Sequence, residues 1–164
     1  MASKEITPMH RIFFLLTLLL SGGAASAQEQ SPYQDDRSTP EAVVSSYYDA
    51  VNRGEYARAY SYFGSADAPA YQAWEAGYHD TGTVEVRFGK AESEGAAGST
   101  YYTLPVALDA AAKNGLEHRY FTGCYTLRLV QPAVQTPPFQ GMHIVDAKLK
   151  EAPEPASPAA SCEP

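Results

Sequence analysis

The sequence predicts an α+β fold in which three N-terminal helices pack on a long, glycine-bent, four-stranded, mainly antiparallel sheet. Three observations carry the prediction. Apolar residues recur at helical spacing between Thr39 and Tyr78, they alternate with polar ones from Thr81 onward, and the longest alternating run contains Gly123, where a strand has to bend sharply. Helices first and strands after them exclude the alternating order of a parallel α/β sheet.

Thr39-Pro40-Glu41 opens the first helix. The hydroxyl caps free amides, the proline loses nothing by lacking an N–H in the first turn, and the carboxylate meets the positive end of the dipole. Val43, Val44, Tyr47, Tyr48 and Val51 then share one face, and Asn52-Arg53-Gly54 stops the helix. A shorter second helix holds Tyr56, Ala59, Tyr60 and Phe63 and closes at Gly64. A third, over 69–77, brings Tyr71, Trp74 and Tyr78 to one side.

Val84, Val86 and Phe88 alternate with Glu85 and Arg87, the pattern of a strand with one buried face. Polar, glycine-containing residues 90–98 read as a connection. In the second strand Tyr102, Leu104, Val106 and Leu108 alternate with Tyr101, Thr103, Pro105 and Ala107, and Pro105 marks an edge or bulge because it cannot donate to a ladder. Asn114-Gly115 is a hairpin turn. In the run 116–130 that follows, Phe121, Tyr125, Leu127 and Leu129 share a parity. After a proline-rich loop (131–141) the last strand covers 142–149. Residues 28–38 have the composition of a flexible leader, and residues 150–164 that of an extended, unfolded Pro/Ala-rich tail carrying Cys162.

Residues 1–27 read as a signal peptide. Lys4, His10 and Arg11 precede the apolar run 12–20, Ser21-Gly22-Gly23 breaks it, and Ala25-Ser26-Ala27 supplies the small-x-small pattern for cleavage before Gln28. The run is shorter than the roughly 20 residues a bilayer span takes, and no cysteine follows it to carry a lipid. The mature protein is therefore expected in the periplasm or secreted, with no stable membrane insertion after cleavage.

The formal charge of −7 opposes nucleic acid as a partner, because basic residues lie singly among acidic ones and form no counterion-displacing face. An anionic membrane surface is disfavoured for the same reason. Twelve tyrosines, six phenylalanines and one tryptophan suit a core or a ligand cleft that needs large apolar area with attached hydroxyls.

The segment 39–60, TPEAVVSSYYDAVNRGEYARAY, resembles the opening helices of the nuclear-transport-factor-2-like superfamily, which includes SnoaL-like and ketosteroid-isomerase-like proteins. The resemblance implies a cystatin-like cone over about 39–149. It also implies a pocket that some members use for isomerase or cyclase chemistry and others for binding or dimerisation.

Isomerase-type members need a carboxylate inside the apolar cone as base and a tyrosine or carboxylic acid as oxyanion donor. Glu85 and Glu117 fall on solvent-facing positions. Asp80 is the best-placed carboxylate, yet Asp80-Thr81-Gly82 reads as ordinary turn chemistry; Tyr47 or Tyr48 would be the donor. No catalytic residue is assigned on this basis. His79, His118 and His143 have no ligand spacing, so neither a metal nor a cofactor is expected. Cys124, His118 and Asp109 would form a Cys-His-Asp set only with a mid-strand nucleophile that nothing activates.

Tyr48, Trp74, Tyr78, Tyr102 and Tyr125 fall on inward faces, where they form either a packed core, the plainer reading, or the lining of a pocket for a small apolar molecule. Tyr101, Tyr120 and Thr126, on the outer face, are the candidate surface for an envelope protein or for a homodimer through the sheet. The two cysteines, in a chain read as exported, are expected to form a Cys124–Cys162 disulfide, the rival reading being a reactive or intermolecular thiol at Cys162. The expected function is that of a small binding or accessory protein, and the alternative is an isomerase or cyclase with an unrecognised acid/base pair.

Overall fold

The first helix, α1 (Pro40–Asn52), is capped as its residues dictate: Thr39 accepts a hydrogen bond from the Ala42 amide and Pro40 occupies the first turn. The computed structural model describes residues 32–162, so the signal segment 1–27 and the start of the leader, 28–31, lie outside the described residues. Two short helices follow, α2 (Tyr56–Tyr60) and α3 (Tyr71–Ala76). The sheet then comprises β1 (Thr81–Phe88), β2 (Glu92–Ala96), β3 (Ser99–Ala112), β4 (His118–Val130) and β5 (His143–Ala152). All pairings are antiparallel, in the order β1-β3-β4-β5, with β2 paired to β3 as well.

The sheet therefore has five strands, not four. β2 lies inside the segment expected as a connection, and it carried no periodic signal because every one of its residues is exposed. It is held by its backbone ladder to β3 and by a two-residue turn, Ala97-Gly98, with both φ angles positive. β1 and β2 run along the same side of β3 and are interrupted opposite Pro105, whose carbonyl accepts from the Gly89 amide; its missing N–H faces this break. Helical structure is also not confined to the N-terminal part, since Pro132–Val134 makes a 3-10 turn in the β4–β5 connection.

The inner face follows the alternation. Val84, Leu104, Val106, Leu108, Tyr125, Leu127 and Ile144 are buried against Val43, Val44, Tyr47, Tyr48 and Val51 of α1. The N-terminal part of the chain bonds to one residue on each of the edge strands β1 and β5. On β1, the Asn52 side chain donates to the Val84 carbonyl at 3.0 Å and accepts from the Val84 amide at 2.7 Å. On β5, Ile144 donates to the Tyr62 carbonyl at 2.8 Å and accepts from the Gly64 amide at 3.1 Å. Strand-edge pairing with another chain is blocked at these points. Asn52→Ala strands both backbone groups of Val84 and is expected to cost about 2 kcal/mol in a denaturant melt; a loss below about 0.5 kcal/mol, by the same order-of-magnitude yardstick, would show that water replaces the amide.

Two segments expected to be loose are tied to the fold over their described residues, 32–38 and 150–162. In the leader, the Tyr33 ring lies 4.5 Å from the Arg58 guanidinium and Arg58 donates to the Gln34 carbonyl. Asp36 exchanges hydrogen bonds with the Ser46 hydroxyl, and Tyr62 donates to Asp35. The tail crosses the outer face of the sheet. Arg87 donates to the Ala156 carbonyl at 2.7 Å, and the Ala159 carbonyl oxygen comes within 2.9 Å of the place a Cβ on Gly89 would take. Cys124 and Cys162 form a disulfide, with Cα atoms 5.9 Å apart. Pro105 and Ala107 are buried although they lie on the outward parity, and the strap formed by the tail runs beside Pro105. Among the described residues no helix is long and apolar enough to cross a membrane.

Candidate functional site

The site grows from two adjacent tyrosines on α1. Successive helical residues point about 100° apart, so Tyr47 and Tyr48 diverge while both leave the solvent face. Tyr47 turns to the third helix, where its hydroxyl accepts from the Trp74 indole N–H at 3.0 Å and lies 2.6 Å from the Tyr78 hydroxyl. Tyr48 turns to the sheet, and its hydroxyl lies 2.6 Å from that of Tyr125 on β4. Trp74 and Tyr78, four residues apart on and just after α3, pack edge to face with centroids 5.4 Å apart. Tyr47 and Tyr48 also meet edge to face, at 4.8 Å, a geometry that the ring quadrupoles favour.

Beside this cluster a cavity of about 610 Å³ opens between α3, the start of β1 and the end of the sheet at the β3–β4 hairpin. Tyr48, Trp74 and Tyr78 line it, with Val84, Leu108, Ala110, Phe121 and Leu149 as the apolar wall. Asp80, Glu117 and Arg119 are its polar members. Arg119 is engaged by Glu151 through two hydrogen bonds of 3.1 Å.

The structure thus brings Tyr48, Trp74 and Tyr78 to one cavity and leaves two of the five aromatic candidates off its wall. Tyr125 is fully buried behind Tyr48. Tyr102 sits farther along β3, opposite Ser93 and Leu127, partly buried against the core. Parity assigned both to the inner face correctly, but it does not say at which end of a long strand a cavity opens.

Burial is the first cause that pushes the hydroxyls of Tyr47, Tyr48, Tyr78 and Tyr125 above the ordinary tyrosine value, joined by the repulsion their charged forms would feel from neighbouring tyrosines, which for Tyr78 is Tyr56. All four are neutral donors at physiological pH. The carboxylates are placed differently. The Asp80 side chain is 96% exposed and bonded to His79 at 3.0 Å, and Glu85 and Glu117 are also exposed, so none is a carboxylate held in low dielectric.

His118 and Asp109 are joined at 2.6 Å across the β3–β4 pair, but the Cys124 sulfur is bonded to Cys162 and is no free thiolate. His143 is buried, with Nδ1 against the Gly141 carbonyl. No group of three or more His, Cys, Asp or Glu among the described residues is placed to hold a metal ion.

Sequence reasoning missed Arg119 and Glu151, which pair across β4 and β5 at the mouth. Their signal was faint, since the register that opposes Phe121 to Glu151 extends the last strand beyond Leu149, where its apolar pattern ends. Comparison of the chain with family models, with curated proteins and with solved structures found no match.

Proposed function

We propose that this protein is an exported binding protein, periplasmic or secreted, that holds a small apolar molecule in the cavity lined by Tyr48, Trp74 and Tyr78. The observation that carries the reading is the cavity itself. At about 610 Å³ it falls in the size range of small-molecule sites, its wall is mainly aliphatic and aromatic, and hydroxyls stand at one side to orient an occupant. The disulfide and the lack of a helix able to cross a membrane among the described residues fit export. Three α-helices preceding an antiparallel sheet, with a positive φ at Gly123 in its long β4 strand, fit a curved cone of the nuclear-transport-factor-2-like, SnoaL-like kind.

Binding is favoured over isomerase or cyclase chemistry because the cavity holds donors without a buried base. Asp80 stands at its rim with its side chain 96% exposed. An envelope protein or a second copy would meet the outer face around Tyr101, Tyr120 and Thr126, since the strap crosses it near Pro105 and the edges are closed at Val84 and Ile144.

Native mass spectrometry of the protein purified from its own host envelope tests the reading. The expected spectrum carries an added small-molecule mass that is lost on denaturation and reduced in Trp74→Ala. Ligand-free protein that also takes up none of the host's apolar extract would overturn it, and release of the added molecule in chemically altered form would restore the enzyme.

A further inference from the structure

A second depression lies on the outer face of the sheet, apart from the aromatic cavity. It is a groove of about 320 Å³ between β2 and the Cys124–Cys162 bond. The register of the strands explains its shape. Glu92 on β2 opposes Thr103 on β3, and Thr103 opposes Thr126 on β4, so two short side chains make the floor. On one flank Glu94 opposes Tyr101, whose ring carries the Arg128 guanidinium 5.6 Å from its centroid. On the other flank Cys124 opposes Lys148 and brings Cys162 and the end of the strap up against the groove. The disulfide is therefore a wall of the groove as well as the anchor of the tail. Among the described residues, Glu92, Glu94 and Lys148 form no ion pair, and the Thr103 and Thr126 hydroxyls have no hydrogen-bond partner.

We propose that this groove binds a neutral saccharide unit, whose hydroxyls bond to Glu92, Glu94, Lys148, Thr103 and Thr126. The site is separate from the aromatic cavity and stands without it. Its lining combines carboxylates that only accept, an ammonium that only donates, and two hydroxyls that do either. A sugar hydroxyl gives its proton to a carboxylate and takes one from an ammonium, so a single kind of group on one compact ring satisfies the whole lining. The threonine methyls and the disulfide sulfurs supply an apolar patch for the C–H face of the ring. An amino-acid zwitterion is the nearest rival, but ion pairs in an open groove are worth little, and its carboxylate would lie beside the two glutamates. A purely apolar molecule would strip water from three charged groups and replace none of it. The saccharide arrives either as a free sugar or as a unit of a longer glycan.

NMR titration of the oxidised protein, read at the threonine methyl groups, tests this. The probes are the methyl glycosides of glucose, galactose, mannose and N-acetylglucosamine, with methoxycyclohexane as a ring without hydroxyls and alanine as the zwitterion. At least one glycoside is expected to shift the Thr103 and Thr126 methyl signals saturably, with Kd of about 1 mM. Thr103→Val and Thr126→Val keep the shape and strand preference of the side chain and remove its hydroxyl, so the fold should stand while affinity, read at the remaining threonine, falls about fivefold. Lys148→Met should weaken binding by a similar factor, and Cys124→Ser/Cys162→Ser, which takes away the wall, by at least as much. A trisaccharide of the best sugar that binds more tightly than the single unit identifies a glycan as the source, and equal binding identifies the free sugar. No saturable shift from any glycoside overturns the proposal. So does methoxycyclohexane or alanine binding as tightly as the best of them, or unchanged affinity in Thr103→Val, Thr126→Val and Lys148→Met alike.

Discussion

Gly123→Ala is expected to destabilise the fold by about 4 kcal/mol, combining backbone strain with an overpacked contact. Gly123 has φ of +156°, and a Cβ built on it would lie 1.9 Å from the Lys148 carbonyl oxygen of the neighbouring strand. Neither atom can yield cheaply. The oxygen belongs to backbone in the β4–β5 ladder, where Cys124 opposes Lys148 and Gly123 opposes Leu149. Relief requires the two strands to part beside the cysteine that anchors the disulfide. Leu149, the register partner of Gly123, and Phe121 both line the cavity, so a shift there propagates to its wall. Urea unfolding of the variant gives the loss directly. A change under about 1 kcal/mol, well below the strain a forbidden contact imposes, would mean that β4 and β5 can part beside Gly123 at little cost.

Local chemistry was legible and long-range ordering was not. The Thr39 cap, Pro40 in the first turn and the parity of Leu104, Val106 and Leu108 depend on neighbours a few residues away, and the structure follows them. Gly123 stands out in the sequence because a glycine that interrupts an apolar alternation gives up packing area and weakens the strand unless the backbone there must kink or approach another segment closely, and the structure shows the close approach, to the Lys148 carbonyl. β2 could not be read at all, since its exposed residues carry no burial pattern and its partner is set by the register of β3. The leader and the tail looked featureless for a related reason. Tyr33 is ordered by Arg58, and the tail is held by Arg87 and Cys124, none of which is close in sequence. At the candidate site, inward-facing aromatics could be chosen from periodicity. Whether Tyr47 or Tyr48 reaches the cavity depends on the rotation of α1 against α3 and β4, which periodicity leaves open to within a residue. The hydroxyl pairs Tyr48–Tyr125 and Tyr47–Tyr78 join residues 31 or more apart in sequence and exist only in the folded chain.

Removing the bridge with Cys124→Ser/Cys162→Ser is expected to cost about 4 kcal/mol, the chain-entropy value for a loop of this length. The two cysteines are 38 residues apart, and the bond spans a segment that contains all of β5 and the tail. The strap has few other anchors among the described residues: Arg87 donates to Ala156, and the remaining contact runs past Gly89 and Pro105. Such contacts do not by themselves offset the entropy of ordering a Pro/Ala/Ser-rich segment, at roughly 1 kcal/mol or more per residue. Loss of the bond should therefore free the strap as well as lower the melting point. Two measurements separate the effects. Denaturant unfolding of the double variant reads the stability, and limited proteolysis at Glu154 reads the strap, which should be cut slowly in the oxidised protein and rapidly in the variant. Non-reducing peptide mapping of protein from its own host then shows whether the bond forms there. Free thiols at Cys124 and Cys162 in that material would contradict both the bridge and the export on which its formation depends. A variant that is as stable and as resistant at Glu154 as the wild type would instead show that the strap is held by packing on the outer face, with the disulfide incidental to it.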